Sequence, residues 1–322
     1  MFAIRTGLNS AIGLPHHSFV VVGQNKLLKK FVFGRDIEAK FSGEIDAQKW
    51  NAAMKALPAS GSLPLVFNQS RIISELNIVL ICDIDNVLAN IAAIARSFPL
   101  FSRKTDGHTP VNITVEVCLP NGELATEDIS YLTNLACSIR EVCRLVDAPA
   151  NELTTDSFLL KALYMAEELG VKQTVISGED LKRQGFGGIY NVGKAGPTPP
   201  AFVVLSHEPL EATETYCLVG KGVVFDTGGM QIKAKTGMPN MGGAAAVLGA
   251  FYTLVTAEFQ QNLHVCLCIV ENSISPMANK PDDIITMLSG KTVEINNTDA
   301  EGRLILADGV YYAKTNLKST FG

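Results

Sequence analysis

The chain has 322 residues, of which 47% are apolar and only 18% charged, and its formal net charge is −5. That balance excludes a polyanion as the main partner: the basic residues form no block beyond short runs such as Lys26 to Lys30, so no nucleic acid is expected. A mean hydropathy of +0.20 points instead to much buried sequence, and single cores stop growing at about 250 to 300 residues, so two domains are allowed.

The amino terminus, MFAIRTGLNSAIGLPHH, has no continuous apolar stretch. The longest apolar runs, such as VCLCIV, fall far below the roughly 20 residues of a membrane span, so no membrane is expected either. Seven cysteines (82, 118, 137, 143, 217, 266 and 268) are scattered without a CxxC pair, which predicts a reduced, cytoplasmic protein.

Residues 1–128 alternate short apolar runs (HHSFVVVG, LPLVFN, NIVLICDI, ITVEVCL) with helix-like stretches (DAQKWNAAMKAL, NVLANIAAIARSF). This order predicts an α/β domain. Its ionisable residues are dispersed and form no catalytic constellation, so a structural or assembly role is expected. Residues 129–147 lie in a stretch with apolar residues at helical spacing, preceded by Glu127 and Asp128, which suit a helix amino terminus. A linking helix is predicted there, broken by Pro149 and Asn151.

From 148 to 322 the alternation resumes. VKQTVISG, AFVVLSH, TYCLVGKGVVFD and NLHVCLCIVEN read as strands, and GGAAAVLGAFYTLVTAEF reads as a helix. Strands this apolar are expected to be covered on both faces.

Several motifs carry little. GIYNVGKA nearly matches the phosphate loop GxxxxGK[ST], but Ala195 stands where a magnesium-holding hydroxyl belongs. The five histidines show no metal-ligand spacing, Cys266 and Cys268 alternate as core strand residues do, and no GxSxG elbow occurs.

Two segments remain. In LVGKGVVFDTGGMQIK, Lys221 interrupts an apolar strand, Asp226 ends it, and Lys233 follows after a glycine pair. Open α/β sheets place their ligand sites at the carboxyl ends of strands. In NNTDAEGRLILADG, Asp299, Glu301 and Arg303 stand at alternate positions. Read alone, that trio is a solvated turn with a weak ion pair. Together, three carboxylates and an amine can hold two divalent cations about 3.5 to 4 Å apart, a device for activating water and clamping an oxyanion.

GKGVVFDTGGMQIK and NTDAEGRLILADG resemble the two signatures of the leucyl aminopeptidase family of di-zinc metallopeptidases, with the closest likeness to its animal probable aminopeptidase-like branch. The resemblance covers most of the chain, most strongly from about 140 onward. It implies an α/β fold with an amino-terminal domain joined by a long helix to the catalytic domain. It further implies that Lys221, Asp226, Asp299 and Glu301 are metal ligands and that Lys233 polarises the scissile carbonyl. Arg303 would hold a bicarbonate that shuttles protons. The implied cofactors are two divalent ions, zinc first and manganese as the alternative. The implied substrates are short peptides with a free amino terminus, such as those beginning with leucine, and the implied assembly is a homo-hexamer.

Two departures from the family pattern bear on activity. Between Lys233 and the next helix the chain reads AKTGMPNMGGAAAV, about four residues shorter than the family, and Asn240 occupies the place of a zinc-binding aspartate. An amide is a poorer, neutral ligand. The sequence also stops soon after the second signature, where family members continue for over a hundred residues. The catalytic domain is therefore read as truncated. The alternative expectation is a catalytically impaired relative that acts as an interaction or subunit-modifying protein.

Overall fold

Runs of β-branched and apolar residues, punctuated by polar turns, form the main strands, from the five residues of Phe2–Thr6 to the twelve of Thr215–Asp226. In the computed structural model of the chain, residues 1–6, 18–23, 75–98, 100–103, 112–234 and 240–320 are described, and two compact units separate at Arg144 and Leu145. The stretches LPLVFN and DAQKWNAAMKAL and the basic run at 26–30 lie outside the described residues.

The first unit contains β1 (Phe2–Thr6), β2 (Ser18–Gly23), β3 (Glu75–Ile81), α1 (Val87–Arg96), β4 (Asn112–Cys118) and all but the last three residues of α2 (Thr126–Asp147). Its sheet has the order β1-β4-β3-β2, and all three pairings are parallel. Parallel strands need covered faces. Ile91 and Ile94 of α1 and Leu132 and Ala136 of α2 are buried in one cluster with Ile78, Leu80, Ile113, Val115 and Val117 of the strands. Glu127 and Asp128 sit in the first turn of α2, against the positive end of its dipole.

The second unit opens with α3 (Thr155–Leu169), which starts where the sequence supplies a capping box: the Thr154 hydroxyl accepts the Ser157 N–H, and Ser157 returns a bond to the Thr154 backbone. It is followed by β5 (Lys172–Ser177), α4 (Glu179–Arg183), α5 (Gly187–Gly193), β6 (Ala201–His207) and β7 (Thr215–Asp226). Next come α6 (Gly242–Thr256), β8 (Asn262–Asn272), a short hairpin of β9 (Ile284–Thr286) and β10 (Thr292–Glu294), and α7 (Glu301–Thr315).

The main sheet has the order β5-β6-β8-β7, in which only β7 and β8 run parallel. β6 and β8 are buried almost throughout, as their apolar runs predict. β5 departs from that expectation: Ile176 is its one buried residue, and this edge strand turns Lys172 and Gln173 to solvent. The GIYNVGKA stretch forms α5 and its carboxyl cap rather than a phosphate loop, with Lys194 Nζ on Asn191 Oδ1 at 3.0 Å. Cys266 and Cys268 are core residues of β8, and Cys266 Sγ lies 3.5 Å from Cys217 Sγ.

Asp308, fully buried in α7, accepts the N–H groups of Ile189 (3.0 Å) and Leu288 (2.9 Å). Burial pushes its carboxyl group up, against the lowering effect of those backbone donors. It ties the start of α5 and the β9–β10 turn to α7, and so fixes the helix whose first turn carries the candidate site.

Candidate active site

The site forms at the carboxyl ends of the two parallel strands. Asp226 is the last residue of β7 and Asn272 the last of β8, and the two are register partners beyond an irregularity that starts at Val223. Such an irregularity re-aims the residues next to it. Lys221 lies five positions earlier on β7, the one cation in an otherwise apolar run.

After Asp226 the chain turns back. Gly228 and Gly229 both have positive φ (81° and 64°), backbone that any residue with a Cβ strains to adopt. The Lys233 N–H closes the loop on Thr227 O at 2.8 Å. The Lys233 ammonium thereby reaches Asp226 Oδ2 at 2.7 Å and Asp299 Oδ1 at 2.8 Å. Its pKa is pushed up, first by the bond to Asp226 and then by that to Asp299, so the group stays charged.

The TDAEGR segment is not a single loop, contrary to the sequence reading. Thr298–Ala300 is one 3₁₀ turn, and Glu301 begins α7. The cause is local: the Asn297 side chain accepts the Asp299 N–H (2.9 Å), and residues from Leu304 onward place their apolar members on a buried helical face. Glu301 therefore sits at the positive end of a helix dipole, and its Oε1 lies 2.7 Å from Lys221 Nζ. Gly302 lets the lysine side chain pass close to the start of α7. A Cβ there would lie 2.9 Å from the Lys221 Cδ, Cε and Nζ atoms.

Asp226 and Glu301 are buried and Asp299 is partly so, and the three offer carboxylate oxygens all within 4.8 Å of one another. Asp226 Oδ2, Asp299 Oδ1 and Glu301 Oε1 accept no hydrogen bond of regular geometry and meet only the lysine ammoniums as ion pairs. Convergent, anionic, hard oxygen donors of this kind fit a divalent cation.

Five of the six residues singled out in the sequence take part in these ion pairs, Lys221 with Glu301 and Lys233 with both Asp226 and Asp299, and the three carboxylates converge between them. Arg303 is exposed in the first turn of α7 and is not among them. Asn240 is half-buried, and its N–H donates to Val223 O at 3.2 Å in an antiparallel bridge; residues 235–239 of the shortened segment lie outside the described residues.

Asn272 and Thr298 escaped the sequence reading. Asn272 Nδ2 donates to Asp226 Oδ1 (2.9 Å) and Thr298 O (3.1 Å). The Thr298 hydroxyl donates to Gly228 O (2.6 Å) and accepts the Gln231 N–H (3.0 Å). The signal was available for Asn272: a polar residue ends the apolar run NLHVCLCIVEN just as Asp226 ends its own.

Residues 141–321 match the model of the cytosol aminopeptidase family, catalytic domain. The chain is 49% identical to leucine aminopeptidase 1 of Caenorhabditis elegans over 98% of its length and 71% of that protein's. It is 50% identical to the probable aminopeptidase NPEPL1 of Homo sapiens over 74% of its length, spanning about half (48%) of that relative. The solved structure of the C. elegans leucine aminopeptidase superposes with a TM-score of 0.88 at 47% identity, covering 99% of this chain and 72% of that one. A leucyl aminopeptidase of Trypanosoma brucei, solved in complex with bestatin, superposes with a TM-score of 0.73 at 37% identity, covering 80% of this chain and 51% of that one. With the family's catalytic domain matched over more than half of its residues, the chain belongs to the cytosol aminopeptidase family.

Proposed function

We propose that the chain is a metalloaminopeptidase that releases amino-terminal residues such as leucine from short peptides. The observation that carries the reading is the convergence of Asp226, Asp299 and Glu301, oxygens within 4.8 Å, beneath two lysines at a strand-end site. Asp226, Asp299, Glu301 and Lys221 would hold the divalent cations, zinc first and manganese as the alternative. When bound, such ions polarise the carbonyl and supply hydroxide at neutral pH.

The residues of the chain do the rest. Lys233, kept charged by its two carboxylates, is the donor for the carbonyl oxygen as it becomes an oxyanion, and burial of its neighbours strengthens that interaction. Arg303, itself exposed in the first turn of α7, would hold an anion, bicarbonate by resemblance, close to the proton transfers. Asn240 brings a neutral amide where the family pattern has a carboxylate, so one cation is held more weakly than the other.

A homo-hexamer, by resemblance alone, and a cytoplasmic location complete the reading. The location is supported by the family's name and by relatives named probable cytosol aminopeptidases, such as that of Bacillus subtilis. No helix among the described residues is long and apolar enough to cross a membrane. The non-catalytic alternative is not favoured, because relatives about half identical to the chain are named aminopeptidases and the carboxylates and lysines stand in one cluster.

The test uses leucine amide and its N-acetylated form, with zinc or manganese added beyond saturation of the tighter site. Hydrolysis of the free amine and not of the blocked one is expected. Equal turnover of both would place the chain among other amidases, and turnover of neither would remove the catalytic reading.

A further inference from the structure

We propose that Asn272 is a positioning residue of the carboxylate centre, a neutral donor that locks Asp226 and the Glu301 turn in one orientation and so sets the affinity for the cation. The inference rests on the metallopeptidase reading and goes beyond it by assigning a role to a residue outside the ligand set.

Asn272 ends β8 directly beside Asp226, and it is buried (6% exposed). Its main-chain carbonyl accepts both the Thr227 N–H (3.0 Å) and the Thr227 hydroxyl (2.8 Å), which fastens the exit of β7 to the exit of β8. Its side-chain amide then reaches across to three acceptors: Asp226 Oδ1 at 2.9 Å, Thr298 O at 3.1 Å and, more weakly, Glu301 Oε2 at 3.5 Å.

The effect on Asp226 is specific. Its Oδ1 takes two donors, Asn272 Nδ2 and the Gly228 N–H (3.0 Å), so the carboxylate cannot rotate without losing both. Oδ2 is thereby left to face Lys233 and the centre of the cluster. Glu301 divides in the same sense, with Oε2 towards Asn272 and Oε1 towards Lys221. One amide group thus holds the Asp226 carboxylate directly and, through Thr298 O, the turn that leads into Glu301.

The residue type follows from charge. A lysine or arginine in this place would neutralise the carboxylates and repel a cation. An aspartate would set a fourth carboxylate against two others at hydrogen-bond distance. A serine is too short to span from β8 to Thr298. Asparagine supplies donors and leaves the net charge of the cluster untouched. Gly229 answers to the same fit, since a Cβ there would lie 3.1 Å from Asn272 Oδ1.

Gln231 supports the same turn from the other side. Its Oε1 accepts the Thr298 N–H at 2.6 Å, and its side chain is exposed, so it can be changed without opening the core.

The experiment measures the zinc dissociation constant of the full chain by competition with a chromophoric chelator, for the wild type, Asn272→Ala and Gln231→Ala, with metal-free thermal melting alongside. Loss of an outer-shell partner costs roughly 10- to 100-fold in metal affinity, so Asn272→Ala is expected in that range and Gln231→Ala at its lower end, about tenfold. A merely structural asparagine would lower the melting temperature and leave the zinc constant of the folded protein unchanged. Zinc affinity of Asn272→Ala within twofold of the wild type overturns the proposal. Should that variant not fold, Asn272→Ser, whose hydroxyl is too short to span to Thr298, decides in the same way. A wild-type chain that takes up no zinc overturns the metallopeptidase reading itself, and the proposal with it.

Discussion

Glu301→Gln is expected to remove tight cation binding and, with it, the hydrolysis of leucine amide. Glu301 is 1% exposed, begins α7, and places Oε1 in the carboxylate cluster opposite Lys221. Glutamine keeps the shape and the helix start but replaces an anionic oxygen by half an amide, which lowers the charge of the cluster from three carboxylates to two. The loss should therefore exceed the roughly 10- to 100-fold that a supporting residue costs. Folding should survive: Lys221 is left without its counter-charge, but its side chain is 25% exposed and can be hydrated. Chelator competition together with circular dichroism checks both halves. An unchanged zinc constant would falsify the assignment of Glu301 as a ligand.

Lys233→Ala is expected to lower kcat by about 10² to 10³, the scale for losing one oxyanion stabiliser, with a smaller change in KM. The ammonium lies 2.7 and 2.8 Å from Asp226 and Asp299 and is held in its charged form by them, so it is placed to act on charge that develops late. Its removal also frees two carboxylate oxygens of a competing cation. Zinc affinity should accordingly stay the same or rise while turnover falls. This opposite movement separates Lys233 from the ligands, for which affinity and turnover fall together. Parallel losses in both would make Lys233 a structural member of the cluster rather than the carbonyl partner.

Much of this site was legible in the sequence, and for identifiable reasons. Asp226 and Lys221 stood out because charge in an apolar strand needs an explanation, and Asp299 and Glu301 because two carboxylates flanked only by small residues do. Strand and helix runs such as NLHVCLCIVEN and GGAAAVLGAFYTLVT were legible from length and periodicity. What escaped was set by tertiary context. Glu301 belongs to a helix because Asn297 caps the turn before it, which a run of turn-forming residues conceals. β5 is an exposed edge strand while β7, at the other edge, is mostly covered, a difference set by what packs on each edge and not legible from strand length. The β9–β10 hairpin has strands of three residues each, too short for alternation to register. Asn272 was passed over because an asparagine at a strand end is commonplace until its amide is seen to tie the Asp226 carboxylate to the Thr298 turn.

The measurement that bears most directly on the central claim is the zinc content of the chain, set beside its hydrolysis of leucine amide, before and after chelation and on re-addition of metal. Three carboxylates with one weakened position predict roughly one tightly held ion per chain, loss of hydrolysis on chelation, and recovery that continues to rise as further zinc or manganese is supplied beyond the first equivalent. Full hydrolysis that persists after the metal is removed, or a chain that holds no divalent ion at any concentration, would contradict the account.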